Sequence, residues 1–290
     1  MKQSFACLPL LALAACSAGE NPDAAVQAET SSGAGEGLKV YALDCGRVDM
    51  NDLSFFAQGD EYAGRTNNAA DMCVLVRHPG GDLMWDSGLP MALHEMEDGL
   101  TNGPFHLSIP VTIREQLDAI GMNVGDVDYF SVSHSHFDHI GNGDMFSGAT
   151  FLVDSDERAH MFRAEAREDA QSFAAYDELE NAETIEFNGD YDVFEDGSVM
   201  ILAMPGHTPG HTALLVNLPN EGPVLFTGDL YHLEESRDRR LVPKFNTNVD
   251  DTLASMTRFE NLVDKYNARV VIQHSLSDFA DLPQIPDHLD

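Results

Sequence analysis

Three histidines and an aspartate are crowded into six consecutive residues near the middle of the chain. Residues 134–139 read HSHFDH and directly follow an apolar run that ends in YFSVS. Imidazoles placed side by side compete for partners, but each offers a nitrogen lone pair that can bind a metal ion. In an extended chain, His134 and His136 point to the same side, as two ligands of one metal must. This spacing predicts the floor of a metal site.

Four other segments carry potential ligands in the same local setting, each after a strand-like apolar run. They are DSG at 86–88, PGHTPGH at 205–211, TGDLYH at 227–232 and QHS at 273–275. Since binding residues concentrate on loops held by a rigid scaffold, this recurrence favours one shared site over isolated structural histidines. The histidines outside these segments are interpreted as surface or structural residues: His78, His94, His106, His160 and His288.

The elements that must position these loops follow from the hydrophobic pattern. Amphipathic spacing predicts helices within 112–122, from 154 or 155 to 162, and from about 250 to 266. Two sheet-rich halves, each closed by helices, predict an α/β fold, a four-layer αββα sandwich with the sheets inside. Short apolar runs bounded by turn residues predict strands at 38–44, 72–78, 82–88, 127–133, 150–154, 184–187, 198–204, 211–218, 223–228 and 269–273.

The N-terminal residues are predicted to lie outside this fold. Residues 1–15 combine one positive charge with an apolar run too short to span a bilayer, which is typical of a signal peptide. The small residues before Cys16 resemble a bacterial lipoprotein box. That resemblance implies a lipidated Cys16 and, with Ser17 next, an outer-membrane anchor facing the periplasm or cell surface; an ordinary signal peptide is the alternative. Residues 16–37 are predicted to be the lipidated cysteine and a flexible linker, and 38–290 a single domain.

The chain is strongly acidic. It has 16 Lys and Arg against 49 Asp and Glu, a formal net charge of −33 at pH 7. Such a field repels nucleic acid and anionic lipid headgroups, which argues against a nuclease. We therefore expect no nucleic-acid partner, and membrane contact only through the lipid anchor. The sequence leaves the oligomeric state open, with a dimer as one candidate.

Two cysteines fall inside the predicted domain. Cys45 and Cys73 lie on consecutive predicted strands of a chain that is expected to enter an oxidising compartment. They would form a disulfide if their Cβ atoms come within about 3.8 Å, and closing that loop would add about 3 kcal/mol. Alternatively, Cys73 is simply a small buried hydrophobe within an apolar strand.

The ordered set of HSHFDH, GHTPGH, TGD and a late strand-end histidine resembles the metallo-β-lactamase-fold hydrolases over most of residues 38–290. Zinc is the expected metal, although imidazole and carboxylate ligands also suit iron, cobalt and manganese. His211 and Asp86 are expected to support ligands rather than bind metal, with a plain turn as the alternative for Asp86. The resemblance implies two divalent metal ions with three ligands each and one bridging carboxylate: His134, His136 and His207 for the first, Asp138, His139 and His274 for the second, and Asp229 between them.

Finer features are similar to one subfamily, the N-acyl homoserine lactonases. These are YALDCGRVDMNDLSFF at 41–56, WDSGLP at 85–90, and GDLY followed by VPKFN. The resemblance implies that a metal-bound hydroxide opens the lactone ring of a bacterial signalling molecule, a small-molecule substrate. Alternatives are a β-lactamase, a thioesterase of the same fold, or a non-catalytic metal-binding lipoprotein. The bridging Asp229 argues against the first, export against the second and the complete ligand set against the third.

Two further expectations concern substrate contacts. The lactonases generally carry a tyrosine three residues after the bridging aspartate, but here that position is His232 and Tyr231 precedes it. Because adjacent residues in extended chain point to opposite faces, only one should face the metals, and the matching position favours His232. With Asp138, these two are the candidate catalytic residues. In the polar stretch 50–62, the residues Leu53, Phe55 and Phe56 are expected either to contact an acyl chain or to seal the sandwich.

Overall fold

Two mixed β-sheets with flanking helices make up the part of the chain that the computed structural model describes, residues 37–290. The predicted signal peptide, 1–15, and all but the last residue of the predicted linker, 16–37, lie outside the described residues. Within residues 37–290, no helix is long and apolar enough to cross a membrane.

The first sheet has eight strands. They are β1 (Lys39–Met50), β2 (Asn67–His78), β3 (Gly81–Trp85), β4 (Leu100–Asn102), β5 (Phe105–Ser108), β6 (Tyr129–Ser131), β7 (Thr150–Asp154) and β8 (Thr184–Phe187). Their order across the sheet is β4-β5-β1-β2-β3-β6-β7-β8. The pairs from β4 to β3 are antiparallel, whereas β3, β6, β7 and β8 run parallel.

The second sheet has the order β13-β12-β11-β10-β9. Its strands are β9 (Tyr191–Asp192), β10 (Val199–Ala203), β11 (Thr212–Leu218), β12 (Gly222–Phe226) and β13 (Arg269–Val271). The α-helices are α1 (Ile113–Ala119), α2 (Ser155–Met161), α3 (Ala170–Phe173), α4 (Glu234–Arg239), α5 (Val249–Tyr266) and α6 (Leu276–Ala280). Short 3-10 helices include Leu53–Phe56, Met91–Glu95 and Gly228–Leu230.

Strand β2 is buried on both faces, and this accounts for the layers. Val74 and Val76 belong to the core between the two sheets, while Cys73 and Leu75 pack on the other face with Leu117 of α1. A strand covered on both sides needs apolar residues at every position, which is why MCVLV shows no alternation. The predicted sandwich of the metallo-β-lactamase type is confirmed.

The predicted limits of the first strand were too short. Strand β1 continues past a bulge between Asp44 and Gly46 and pairs with β2 as far as Met50. It begins with Lys39 opposite Arg77, at the end of β2 farthest from residues 67–71. The hairpin of β4 and β5 was not predicted, because the residues of β4 are exposed and carry no apolar pattern.

Cys45 and Cys73 form a disulfide that joins β1 to β2, with their Cα atoms 5.9 Å apart. Both side chains are also buried in the core beneath α1. The two interpretations of Cys73 were therefore not exclusive, because it is a buried small residue and a disulfide partner at once.

Candidate metal centre

The five predicted ligand loops meet at one end of the two sheets. Strands β3 and β6 are parallel neighbours that end just before Asp86 and His134, and β12 and β13 are parallel neighbours that end before Asp229 and His274. The loop after β10 adds His207. Because parallel strands bring their carboxyl ends to the same edge, side chains distant in sequence become neighbours here.

Three imidazoles converge in the first ligand group. Nδ1 of His136 lies 2.8 Å from Nε2 of His134 and 3.0 Å from Nε2 of His207. Oδ2 of Asp229 lies 3.5 Å from Nε2 of His134 and 3.3 Å from Nε2 of His207. Ligand atoms about 2.0–2.1 Å from one tetrahedral ion stand roughly 3.3 Å apart, so these four atoms surround a point suited to a metal.

The second group lies on the other side of Asp229. Oδ1 of this aspartate is 3.2 Å from Nε2 of His139 and 3.0 Å from Nε2 of His274. Oδ2 of Asp138 is 3.9 Å from Nε2 of His274. Asp138, His139 and His274 form a second cluster of metal-ligating atoms, distinct from the first. Each carboxylate oxygen of Asp229 therefore faces a different group, as a bridging ligand requires.

Buried polar atoms without hydrogen-bond partners also indicate a metal site in the centre. Nε2 of His139 and Oδ1 of Asp229 are buried and have no hydrogen-bond partner among the described residues, although they are near neighbours. A buried polar atom without a hydrogen-bond partner costs free energy, so both atoms are suited to bind an ion. The seven side chains fit two divalent metal ions.

Asp86 supports the second group through a hydrogen bond to its ligand His139. Its Oδ2 accepts hydrogen bonds from Nδ1 of His139 at 2.9 Å and from Nε2 of Gln273 at 2.8 Å. Both the amide and the hydroxyl of Ser133, next to the first ligand, donate to the same carboxylate at 2.6 and 2.9 Å. The bond to Nδ1 fixes the tautomer of His139 and leaves Nε2 free for a metal. The expected supporting role of Asp86 is confirmed as a contact.

His211 uses both ring nitrogens within the fold. Its Nδ1 donates to the carbonyl of Met204 at 3.0 Å, and its Nε2 accepts the amide of Asp229 at 2.9 Å. Burial, with the nearby His207, lowers the pKa of His211 to about 3, so that Nε2 stays an acceptor. As expected from the sequence, His211 orients the bridging residue instead of joining either ligand group.

The two groups differ in charge before any metal binds. Burial and neighbouring histidines hold the pKa values of His134 and His136 well below the usual value. Burial also opposes a charge on His139 and His274, but the carboxylate of Asp229 outweighs it, and the pKa of His274 rises to about 9. Since a metal binds neutral imidazole, the second group must release protons when it is filled.

The structure separates the two substrate-contact candidates. Nε2 of His232 is buried at the centre, 3.0 Å from Oδ2 of Asp229, and has no hydrogen-bond partner among the described residues. The hydroxyl of Tyr231 points away and donates to Glu260 at 3.0 Å. Arg237 donates two hydrogen bonds to the same glutamate, at 2.9 and 2.8 Å. Tyr231 does not reach the centre because consecutive residues of the extended chain face opposite sides.

One carboxylate near the centre was missed. Asp71 is 1% exposed and accepts the amide of Leu89 at 2.8 Å. Burial raises its pKa to about 8, and the negative charge of Asp138 contributes. An acid inside the apolar run AADMCVLV is the signal that the sequence offers for it, although Asp71 belongs to no ligand motif.

Several apolar side chains lie beside the centre. Leu53 and Phe56 are buried in a core cluster, which favours sealing of the sandwich, while Phe55 is 45% exposed. Phe56 and Phe245 place their rings 5.1 and 5.6 Å from the ring of His232. A cavity of about 960 Å³ opens beside the centre, with His136, Phe137, Met91, Ile140 and Tyr176 in its wall.

Comparison with known proteins identifies the family. Residues 71–274 match the model of the Metallo-beta-lactamase superfamily, so this chain belongs to that superfamily and is a hydrolase of its fold with a His/Asp metal site.

Within the superfamily, the chain is similar to N-acyl homoserine lactonases. It is 29% identical to the N-acyl homoserine lactonase AttM of Rhizobium radiobacter, over 73% of this chain and 84% of that protein. It is 29% identical to an N-acyl homoserine lactonase of a Bacillus species, over 87% and 98%. A solved N-acyl homoserine lactone hydrolase, with N-hexanoyl-L-homoserine at its catalytic metal centre, superposes with a TM-score of 0.72 at 24% identity, over 87% and 98%.

Proposed function

We propose that this protein is a dinuclear metal-dependent hydrolase that opens the lactone ring of N-acyl homoserine lactones. The observation that carries the proposal is the position of Asp229, whose two oxygens face two separate ligand groups within 3.5 Å. The similarity to lactonases over most of the chain supports the substrate.

The donor set suits zinc, since five imidazoles and two carboxylates are typical ligands of that ion. When bound, two divalent ions would supply a hydroxide at neutral pH and polarise a carbonyl oxygen. Hydrolysis of the lactone adds a water oxygen to the ring carbonyl carbon and breaks the ring C–O bond. A proton on the departing oxygen completes the product, an N-acyl homoserine.

His232 is the side chain best placed to act on the substrate directly. Its buried Nε2 is unpaired, and burial lowers the pKa of the ring, which keeps it neutral. A neutral imidazole can carry its proton on Nε2 and donate it in a hydrogen bond to a substrate oxygen. Asp138 contributes a negative charge and an oxygen ligand on the opposite side of Asp229.

The substrate can be tested with purified, metal-loaded protein. Ring opening of N-hexanoyl homoserine lactone releases acid, which a pH indicator reports, and hydrolysis of the β-lactam nitrocefin is followed by colour. We expect lactone opening with a kcat/KM far above that for nitrocefin, and loss of most of it in His136→Ala. Turnover of nitrocefin without turnover of the lactone would reject the proposed substrate in favour of a β-lactamase.

We further propose that the protein is exported and anchored by a lipid on Cys16. The signal-like residues 1–15 support this, and the disulfide of Cys45 and Cys73 fits an oxidising compartment. In bacterial cells, Cys16→Ser should move the protein from the membrane fraction to the soluble fraction. An unchanged membrane fraction would contradict the lipid anchor.

A further inference from the structure

Helix α2 carries a buried carboxylate that no ligand motif contains. Glu157 is 1% exposed, and each of its oxygens accepts two hydrogen bonds from uncharged groups. Oε1 accepts the amide of Ser135 at 2.8 Å and its hydroxyl at 2.7 Å. Oε2 accepts the hydroxyl of Thr208 at 2.6 Å and the amide of Gly210 at 3.1 Å.

These four donors come from the two loops that hold the first ligand group. Ser135 lies between His134 and His136, and Thr208 directly follows His207. One carboxylate therefore ties together the loops that supply all three imidazoles of that group. Asp86 supports the second group through His139. It also accepts bonds from Ser133, next to His134, but it contacts neither Thr208 nor Gly210 and so does not join the two loops.

The fit around Glu157 is tight. A Cβ atom on Gly210 would lie 2.2 Å from the backbone nitrogen of Glu157 and 2.7 Å from its Cβ. The loop after His207 can therefore approach α2 this closely only because position 210 is a glycine. A buried charge is expensive unless donors surround it, and four donors meet that requirement here. A carboxylate is the side chain of this size that accepts on both of its terminal atoms.

We propose that Glu157 is a positioning residue. It fixes the distance between the loop that carries His134 and His136 and the loop that carries His207, and thereby sets the metal affinity of the first ligand group. Its hydrogen bonds reach Ser135, Thr208 and Gly210 and none of the ligand side chains. The inference rests on the proposed metal centre but not on the identity of the substrate.

The decisive measurement is a titration of the metal-free protein with Co²⁺, read by visible absorption, which reports the affinity of each group without any activity. Glu157→Gln keeps the size of the side chain but turns an NH₂ group toward the donors of one loop. We expect one of the two binding steps to weaken by about 10–100-fold, as for other residues that orient ligands, and the other to stay unchanged. Thr208→Val removes one donor and should weaken the same step less, which keeps the test usable if Glu157→Gln folds poorly.

Gln116 offers a matched control. It is buried, bridges α1 and β1 through bonds to Asp44 and Thr112, and contacts no ligand loop. Gln116→Glu should lower the free energy of unfolding and leave both Co²⁺ affinities unchanged. The inference is overturned if Glu157→Gln and Thr208→Val lower stability but leave both affinities unchanged, or weaken both steps equally. If the protein binds two ions but opens no lactone, the proposed substrate fails while this test remains valid.

Discussion

Nε2 of His232 lies 3.0 Å from Oδ2 of Asp229, on the face of the loop that looks into the metal centre. The three-residue spacing brings the bridging carboxylate and the candidate hydrogen-bond donor to the same side, and the intervening Tyr231 is directed into the fold. A single loop after β12 therefore supplies both the candidate bridging ligand and the proposed substrate contact.

His232→Ala should lower kcat/KM for lactone opening on the order of 100-fold at unchanged metal content, because one donor to a developing oxyanion is lost. Tyr231→Phe should leave the rate unchanged and cost about 1 kcal/mol of stability, the worth of its bond to Glu260. Steady-state kinetics of both variants decide the matter. A rate loss in Tyr231→Phe alone would reverse the assignment.

Asp229→Ala should reduce metal content in both groups, because its two oxygens face different groups. The wild-type chain should hold two ions after extensive purification, and His136→Ala should lose the ion of the first group preferentially. Elemental analysis of the three proteins measures this directly. A wild-type protein saturated by a single ion would contradict the dinuclear centre.

Asp71→Asn should stabilise the metal-free protein increasingly as pH rises from about 4 to 8. Burial raises the pKa of Asp71 to about 8 from its ordinary value of 3.8. In this window the folded chain keeps a proton that the unfolded chain has lost, so wild-type stability falls as pH rises. The asparagine keeps an acceptor for Leu89 but carries no such penalty.

Urea unfolding of the metal-free proteins at pH 5 and pH 8 tests this. The difference between Asp71→Asn and wild type should be larger at pH 8. The exposed Glu61→Gln serves as control and should show no such change. Equal differences at both pH values would show that the carboxyl of Asp71 ionises normally in the fold.

Replacing Cys45 and Cys73 together by serine should lower the free energy of unfolding by about 3 kcal/mol. The disulfide closes a loop of 28 residues and so restricts the unfolded chain. Denaturant unfolding measures the loss, and peptide mapping of unreduced protein should recover the two cysteines in one linked fragment. Recovery of both as free thiols would remove the basis for the expected loss.

The sequence was most informative where residue type alone determines chemistry. A metal site is predicted by His134, His136 and Asp138, because crowded imidazoles beside an acid are typical of metal ligands. The role of Asp229 follows from the resemblance. Strand order, by contrast, depends on which runs pair, and no local pattern encodes the hairpin of β4 and β5.

The supporting carboxylates were the least predictable. Glu157 sits among charged residues of α2 and looks like part of a solvated helix face, yet it is buried between two loops that lie 22 and 51 residues away in sequence. Its role depends on tertiary contacts alone. Asp86 was predictable because it lies at a strand end beside the ligands, whereas Asp71 lies within a strand.

Strand β1 begins at the end of the first sheet that lies opposite the metal centre. Lys39 enters opposite Arg77, six residues along β2 from Asp71, which is about 20 Å at the rise of a strand. Leu289, near the last residue, is bonded to Val40 at that same end. Lys39 and Leu289 therefore lie together at the end of the β1–β2 pair opposite Asp71, and the opening to the metal centre is left clear of both.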